Sequence, residues 1–285
     1  MLVANSETRL GSARIHTTLL LERAVRATIV RRDQLSYDTK FAAAAPGRVE
    51  PVGHLFMVLA GRLVTADGVA FAAPVAMVLA DEEFERVRPT SRTFRTEGPR
   101  VELVQLRAQA ASFVLPIGLA HGAVALPAPC WDAARAMLDG ANDRLDDLLA
   151  RLAAASALRD LRGTLMSEEP EHFVRLWSAL EPLFQAQGAA TSAKQLAAKL
   201  GLSLRQTGRD AKELAATFGM KGYREALLVL RLRTAALLLS AQGATIGQVA
   251  DAVGYGSAIA MARAFRDAKL PSPSAIRDEY IGTPA

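Results

Sequence analysis

One segment of this chain occurs twice. QLAAKLGL at Gln195–Leu202 returns as QVADAVGY at Gln248–Tyr255, 53 residues later. Three residues before each copy stands a helix-capping residue, Ser192 and Thr245, so both copies open on an S/T-x-x-Q capping box. Each copy then offers a short helix, an alanine (Ala197, Ala250) where a second helix must cross closely, and a glycine (Gly201, Gly254) that can take the positive φ of a tight turn. Leu196 and Leu200, like Val249 and Val253, lie four apart and face a small core. A second helix follows each copy. Short helix, tight turn and second helix is the layout of a helix-turn-helix unit, and the chain carries it twice.

Between the units runs Tyr223–Gln242, YREALLVLRLRTAALLLSAQ, closed by Gly243. The pattern predicts one helix of about 20 residues, roughly 30 Å long at 1.5 Å per residue. Neighbouring major grooves on one face of B-DNA are about 34 Å apart. A rod of that length suits two readers in adjacent grooves. The alternative, a plain core helix, is partly met in any case, because Leu227, Leu230, Leu238 and Leu239 are expected to be buried.

The front of the chain reads differently. His54–Val64 is a long apolar run ending at Ala66-Asp67-Gly68, a hairpin signal. Val69–Ala80 is a second run with Pro74 inside, so its second half should pair better. Phe84–Arg88 alternates loosely and Val101–Arg107 alternates cleanly. Short strands separated by turns predict a small antiparallel barrel or sandwich over about 20–110. Ser112–Trp131 is broken by prolines and glycines and reads as loop. Within 131–160 a 3.6-residue period interrupted at Gly140 predicts amphipathic helices, whose apolar stripe covers the barrel or meets the same helix of a second chain. Thr164–Pro170 is the boundary candidate. Ser167 can cap a further helix there, with Glu168, Glu169 and Glu171 at its positive end and His172–Gln187 as its body.

Charge separates the two parts. Residues 1–169 hold 20 basic and 20 acidic side chains, residues 170–285 hold 14 and 9, so the whole net +5 sits at the back. A neutral body and a basic tail fit a tail that meets a polyanion. The single cysteine, Cys130, excludes an intramolecular disulfide framework and a cysteine zinc finger, fits a reducing cytoplasm, and is read as structural. The first 20 residues lack the apolar core of a signal peptide, and no apolar stretch spans a bilayer, so a soluble cytoplasmic protein is expected. His16, His54, His121 and His172 are scattered, and no Gly-x-Ser-x-Gly element or phosphate loop occurs. Neither catalytic residues, nor a metal, nor a cofactor is expected, and His54 is read as a satisfied core or rim residue.

With the repeat in view, residues of about 170–281 resemble the DNA-binding domain of the AraC/XylS family of bacterial transcription regulators. The matching elements are the first unit, then Arg231-Leu232-Arg233 with Ala235 and the leucines to Leu239, then Gly254-Tyr255, Arg263 and Phe265-Arg266, and the closing Pro273 and Arg277. The front half looks more loosely like the cupin-type sensing and dimerising domain common in that family. Departures are Thr207 where a large apolar residue is usual, Ala211 in place of an aromatic, Ile259 and Ala260 at positions often polar or aromatic, and Leu270-Pro271 in place of a glycine.

The resulting expectation is an α+β protein. A cupin-like antiparallel β-barrel with helices would occupy 1–166, as an effector-sensing or dimerisation domain. An all-α DNA-binding domain would occupy 167–285, with its first unit at about 192–215, the linker helix at about 222–242 and the second unit at about 245–268. Ser203, Arg205, Gln206, Arg209 and Lys212 of the first unit, and Ser257, Arg263 and Arg266 of the second, are the DNA-binding candidates. Arg205, Gln206 and Arg209 would read bases, since arginine pairs with guanine and glutamine with adenine. Ser257 would hold phosphate at a helix start, and Lys194, Lys199 and Lys221 are further phosphate candidates. Gly208 marks either close backbone approach or degeneracy. The implied partners are double-stranded promoter DNA, RNA polymerase, a small-molecule effector and a second copy of the chain. The resemblance favours an activator. Two rivals stand beside it: an AraC-like protein with a degenerate second unit that acts through another protein, and a small-molecule-binding barrel with catalytic activity.

Overall fold

The computed structural model describes residues 2–21, 25–41, 51–80, 93–140, 144–159, 161, 171, 174, 176, 192–217 and 221–281. The strand segment at Phe84–Arg88, the boundary at Thr164–Pro170 and most of the helix at His172–Gln187 lie outside them. The front half is a sheet of eight strands: β1 (Leu2–Leu10), β2 (Ala13–Leu21), β3 (Val25–Asp33), β4 (Tyr37–Asp38), β5 (Val52–Thr65), β6 (Ala70–Ala72), β7 (Val75–Ala80) and β8 (Phe94–Gln109). Helices α1 (Ala128–Leu138) and α2 (Leu145–Ala154) follow. The back half is helical: α3 (Ala193–Leu200), α4 (Leu204–Thr217), α5 (Tyr223–Leu238), α6 (Ile246–Ala252), α7 (Ala258–Asp267) and α8 (Pro273–Ile281). The fold class is α+β. No described helix is long and apolar enough to cross a membrane.

All the strand pairs are antiparallel, and β8 is their hub. It takes β3 and β4 along one edge and β5 along the other, while β6 and β7 share the far edge of β5. The β5–β8 ribbon turns a corner. Ala60 faces Glu102 but Arg62 faces Glu97, so Gly98–Val101 bulge out of register. Gly61 (φ +91°) and Gly98 (φ +141°) make the corner, and a Cβ on Gly61 would stand 2.9 Å from the Glu97 carbonyl oxygen. Beyond the corner the ribbon folds back on itself. Phe56 and Thr65, the partner of Phe94, are separated by roughly 30 Å of straight strand. Yet the Phe56 and Phe94 rings meet edge to face at 5.2 Å.

The corner gives the sheet an inner face packed by Phe56, Val58, Leu63, Met77, Leu79 and Phe94. Its other face, with Leu55, Met57, Val104 and Leu106, lies under Ala133, Ala134 and Met137 of α1 and Leu148, Leu149 and Leu152 of α2. Both faces of β5 are covered, which is why Leu55–Leu59 is an unbroken apolar run. The described strands form the expected antiparallel β-structure as one sheet folded over on itself. His54 is buried on the inner face with Nδ1 at 2.7 Å from the Gln105 amide nitrogen. Burial raises the Cys130 thiol pKa.

Two boundaries differ from the sequence expectation. The sheet begins at Leu2, because β1 and β2 form a hairpin through Gly11 (φ +61°). Its inward positions include Thr8 and Thr18, which hide the apolar alternation. The linker helix ends at Leu238 rather than near Gln242. Ser240 donates to the Leu237 carbonyl at 2.7 Å and accepts the Ser36 N–H at 2.9 Å, and tight turns replace the helix there. Within that helix Val229, Leu232 and Ala235–Leu239 are buried, whereas Leu227 and Leu230 are only half-buried.

The two halves share a core. Ala13, Leu35 and Phe41 of the sheet cluster with Leu232, Leu239, Val249, Phe265 and Ile276 of the helices. At this seam the Tyr280 hydroxyl accepts the Asp38 N–H at 3.0 Å, and the Tyr280 ring meets Phe41 edge to face at 5.4 Å. Lys40 pairs with Glu279. Burial pushes the Tyr280 phenol far above its usual range and pushes the Asp38 carboxyl up, the latter against the pull of Lys40. Arg32, buried beside them, donates to Thr96 and lies over the Tyr37 ring, and desolvation lowers its pKa to about 10.

Two outcomes follow for urea unfolding. Gly61→Ala should cost clearly more than Gly68→Ala. Both positions have positive φ, worth roughly 1–2 kcal/mol of strain for alanine, but a Cβ at Gly68 meets open space whereas one at Gly61 meets backbone. Tyr280→Phe keeps the ring and orphans the Asp38 N–H, so it should cost about 1–3 kcal/mol.

Candidate nucleic-acid interface

Both capping boxes form as the sequence predicts. The Ser192 and Thr245 hydroxyls accept the Gln195 and Gln248 N–H groups at 3.2 and 3.1 Å, and the two glutamine side chains return the bond at 2.7 and 2.8 Å. Ala197 and Ala250 are buried at the helix crossings. Gly201 and Gly254 sit at φ +64° and +76°. Leu196, Val249 and Val253 are buried, and Leu200 is half-buried.

The second helix of each unit starts on a serine. The Ser203 hydroxyl accepts the Gln206 N–H and the Ser257 hydroxyl accepts the Ala260 N–H, each at 3.1 Å. Setting these caps equal aligns α4 with α7. Thr207 falls on Met261 and Ala211 on Phe265, and all four are buried. Arg205 falls on Ile259, Gln206 on Ala260, Arg209 on Arg263 and Lys212 on Arg266. These outward positions are exposed in both units, except that Gln206 is half-buried. Its side chain donates to Asp210 at 2.5 Å. Arg263 and Arg266 each lie 3.8 Å from Asp267, with side chains 75% and 74% exposed. Lys194, Lys199 and Lys221 are exposed as well. The fold thus lines up the candidates of the two second helices at equivalent positions, whereas Lys194 and Lys199 lie on α3 and Lys221 just before α5.

The interiors of the units differ. Phe265 and Met261 fill the second unit. In the first, Thr207 returns its hydroxyl to the Ser203 carbonyl at 3.0 Å, and Asp210 is buried with Oδ2 unpartnered among the described residues. Gly208 is exposed, and a Cβ there would meet nothing within 4 Å, so it marks no close approach within the protein. The linker reaches the second unit through Arg231, whose guanidinium lies 5.6 Å from the centre of the Tyr255 ring. Burial raises the Tyr255 phenol pKa. Arg231 and Tyr255 both belong to the motif quoted from sequence, but their contact was not foreseen. Ile259 was noted only as a departure, although it holds the position equivalent to Arg205.

Residues 196–279 match the family model of a helix-turn-helix domain. Among solved structures, a DNA-binding transcriptional dual regulator from Escherichia coli K-12 is 18% identical, with 41% of this chain and 99% of that chain covered and a TM-score of 0.33. ToxT from Vibrio cholerae is 8% identical, covering 89% of this chain and 98% of its own at a TM-score of 0.37. The AraC-like transcriptional activator CuxR is 13% identical, covering 85% and 86% at a TM-score of 0.28. No curated protein matches the sequence. The matched segment runs from the first capped helix through the linker and the second unit, so the back of the chain carries a helix-turn-helix domain.

Proposed function

We propose that this chain binds a specific promoter sequence with both units and activates transcription from it, contacting RNA polymerase. In this reading the front half up to about residue 166 senses a small effector and dimerises. Arg205, Gln206 and Arg209 read bases, and Lys212, Ser203, Ser257, Arg263 and Arg266 hold phosphates. The observation that carries DNA reading is the cap-to-cap alignment. Two helices built on unlike cores show the same outward positions, and both place a basic residue six and nine places after the cap. Both serine caps are exposed, so each helix begins at the surface, and a helix start favours phosphate. Gln206 reads with its amide oriented by Asp210, which lowers the entropy lost on contact.

The test is selection of the full chain against random duplex DNA, followed by titration of any enriched site at two salt concentrations. One sequence should be enriched, and binding to it should weaken steeply with salt. Arg205→Ala and Arg209→Ala should each lose about 1–3 kcal/mol on that site and relax the base preference beneath them. Arg266→Ala should weaken all sequences alike and lower the salt slope by about one. A pool that returns unenriched would sink the reading. Gly208→Ala should stabilise the first unit by up to about 1 kcal/mol in thermal melts, since the helix gains a better former and no neighbour is crowded.

A further inference from the structure

Ile259 is the most exposed large apolar side chain among the described residues, at 82%. Scattered surface apolar residues are ordinary, but this one has a particular address. It sits two residues after the Ser257 cap, where the first unit has Arg205. The helix beneath it is firmly seated, with Met261 and Phe265 fully buried. Arg263 and Arg266 follow it on exposed positions of the same helix. Packing within the chain does not use the side chain, and its surroundings are built to face a polyanion.

A branched aliphatic group has no hydrogen bond to give. In the major groove one feature of a base pair suits it, the 5-methyl group of thymine. The first turn of a recognition helix is the part that reaches base edges. Ile259 is β-branched and stiff at χ1, so little rotamer freedom is lost when it docks. Ala260 beside it adds no polar atom that burial would leave unpaired, and lets the helix come close.

We propose that Ile259, assisted by Ala260, is the specificity determinant of the second unit, and that it reads thymine by contact with the 5-methyl group. The inference rests on the DNA-reading function above and assigns the chemistry of its second half-site. The site is then asymmetric. The first unit reads purine edges by hydrogen bonds through Arg205, and the second reads thymine by shape.

The experiment takes the full chain and its selected site and replaces thymines by uracil, one at a time, in the segment covered by the second unit. Uracil removes the methyl group and leaves the pairing edge unchanged. One or two replacements should weaken the wild-type chain roughly three- to fivefold, the worth of one buried methyl. Ile259→Ala should bind the thymine site more weakly and no longer distinguish it from the uracil site. Arg205→Ala should keep the uracil penalty. Alanine suits a helix and Ile259 is 82% exposed, so melting of the variant should match the wild type. Specific binding that ignores every uracil, or a penalty that survives in Ile259→Ala, would overturn the assignment and hand Ile259 to a protein partner. Absence of any selected site would overturn it together with the function on which it rests.

Discussion

The linker helix α5 cannot be left in water. Val229, Leu232 and Ala235–Leu239 point to most sides of its second half and are all buried. A helix apolar nearly all round needs neighbours on every side, and this one has three. Ala215 of the first unit packs into its cluster, Val249, Val253 and Phe265 of the second unit line another side, and Leu35 and Phe41 close it from the sheet. The alanines at 235, 236, 241 and 244 let these neighbours approach closely. The position of the second unit against the front half is therefore set by hydrophobic burial, and the polar contacts of the seam, Asp38 with Tyr280 and Ser36 with Ser240, register what burial brings together.

From this follows an asymmetry between the units. Their outer positions correspond, but their anchoring does not. The second unit is wedged by Met261 and Phe265 against the buried linker. The first has Thr207 and Ala211 at the same places, and an aspartate inside. Replacing a buried phenylalanine by alanine costs roughly 3–5 kcal/mol in an average core, so a unit built with the smaller residue has less holding it in place. Parts with few buried apolar contacts open first. The outer chemistry follows the same division. The first unit carries the long side chains of Arg205, Gln206 and Arg209 at its outward positions, and the wedged unit carries the short, stiff Ile259.

What the sequence disclosed was the local part. Caps, turn glycines and crossing alanines act within a few residues, so both units, their order and their candidate residues could be read directly. The corner of the sheet could not. Gly61 and Gly98 stand on different strands, and each has its meaning only from the backbone of the opposite strand, Glu97 and Arg100 for Gly61 and Gly61 for Gly98. The first hairpin stayed hidden because its inward positions use threonine, with Thr18 bonded to Asn5 at 2.7 Å in place of apolar contact. The early end of α5 depends on Ser36, some 200 residues away in sequence. From sequence Ile259 stood out only as a departure from a pattern, and the alignment of serine caps gives its position as the equivalent of Arg205.

The corner also decides what the back half is attached to. Past Gly98 the N-terminal part of β8 pairs with β4, and Phe94 exchanges two hydrogen bonds with the Thr39 hydroxyl, at 3.0 and 3.1 Å. Thr39 lies between Asp38 and Phe41, the two residues that hold Tyr280. On its other side Phe94 contacts Phe56 in the packed inner face of the sheet. The path of contact from the inner face to α8 thus runs from Phe56 through Phe94, Thr39 and Phe41, all buried, to the partly buried Tyr280. Close-packed interiors transmit displacement because they have no slack to absorb it. Thr39 is thus tied to the Phe94 backbone on one side and, through its neighbours Asp38 and Phe41, to the seat of α8 on the other.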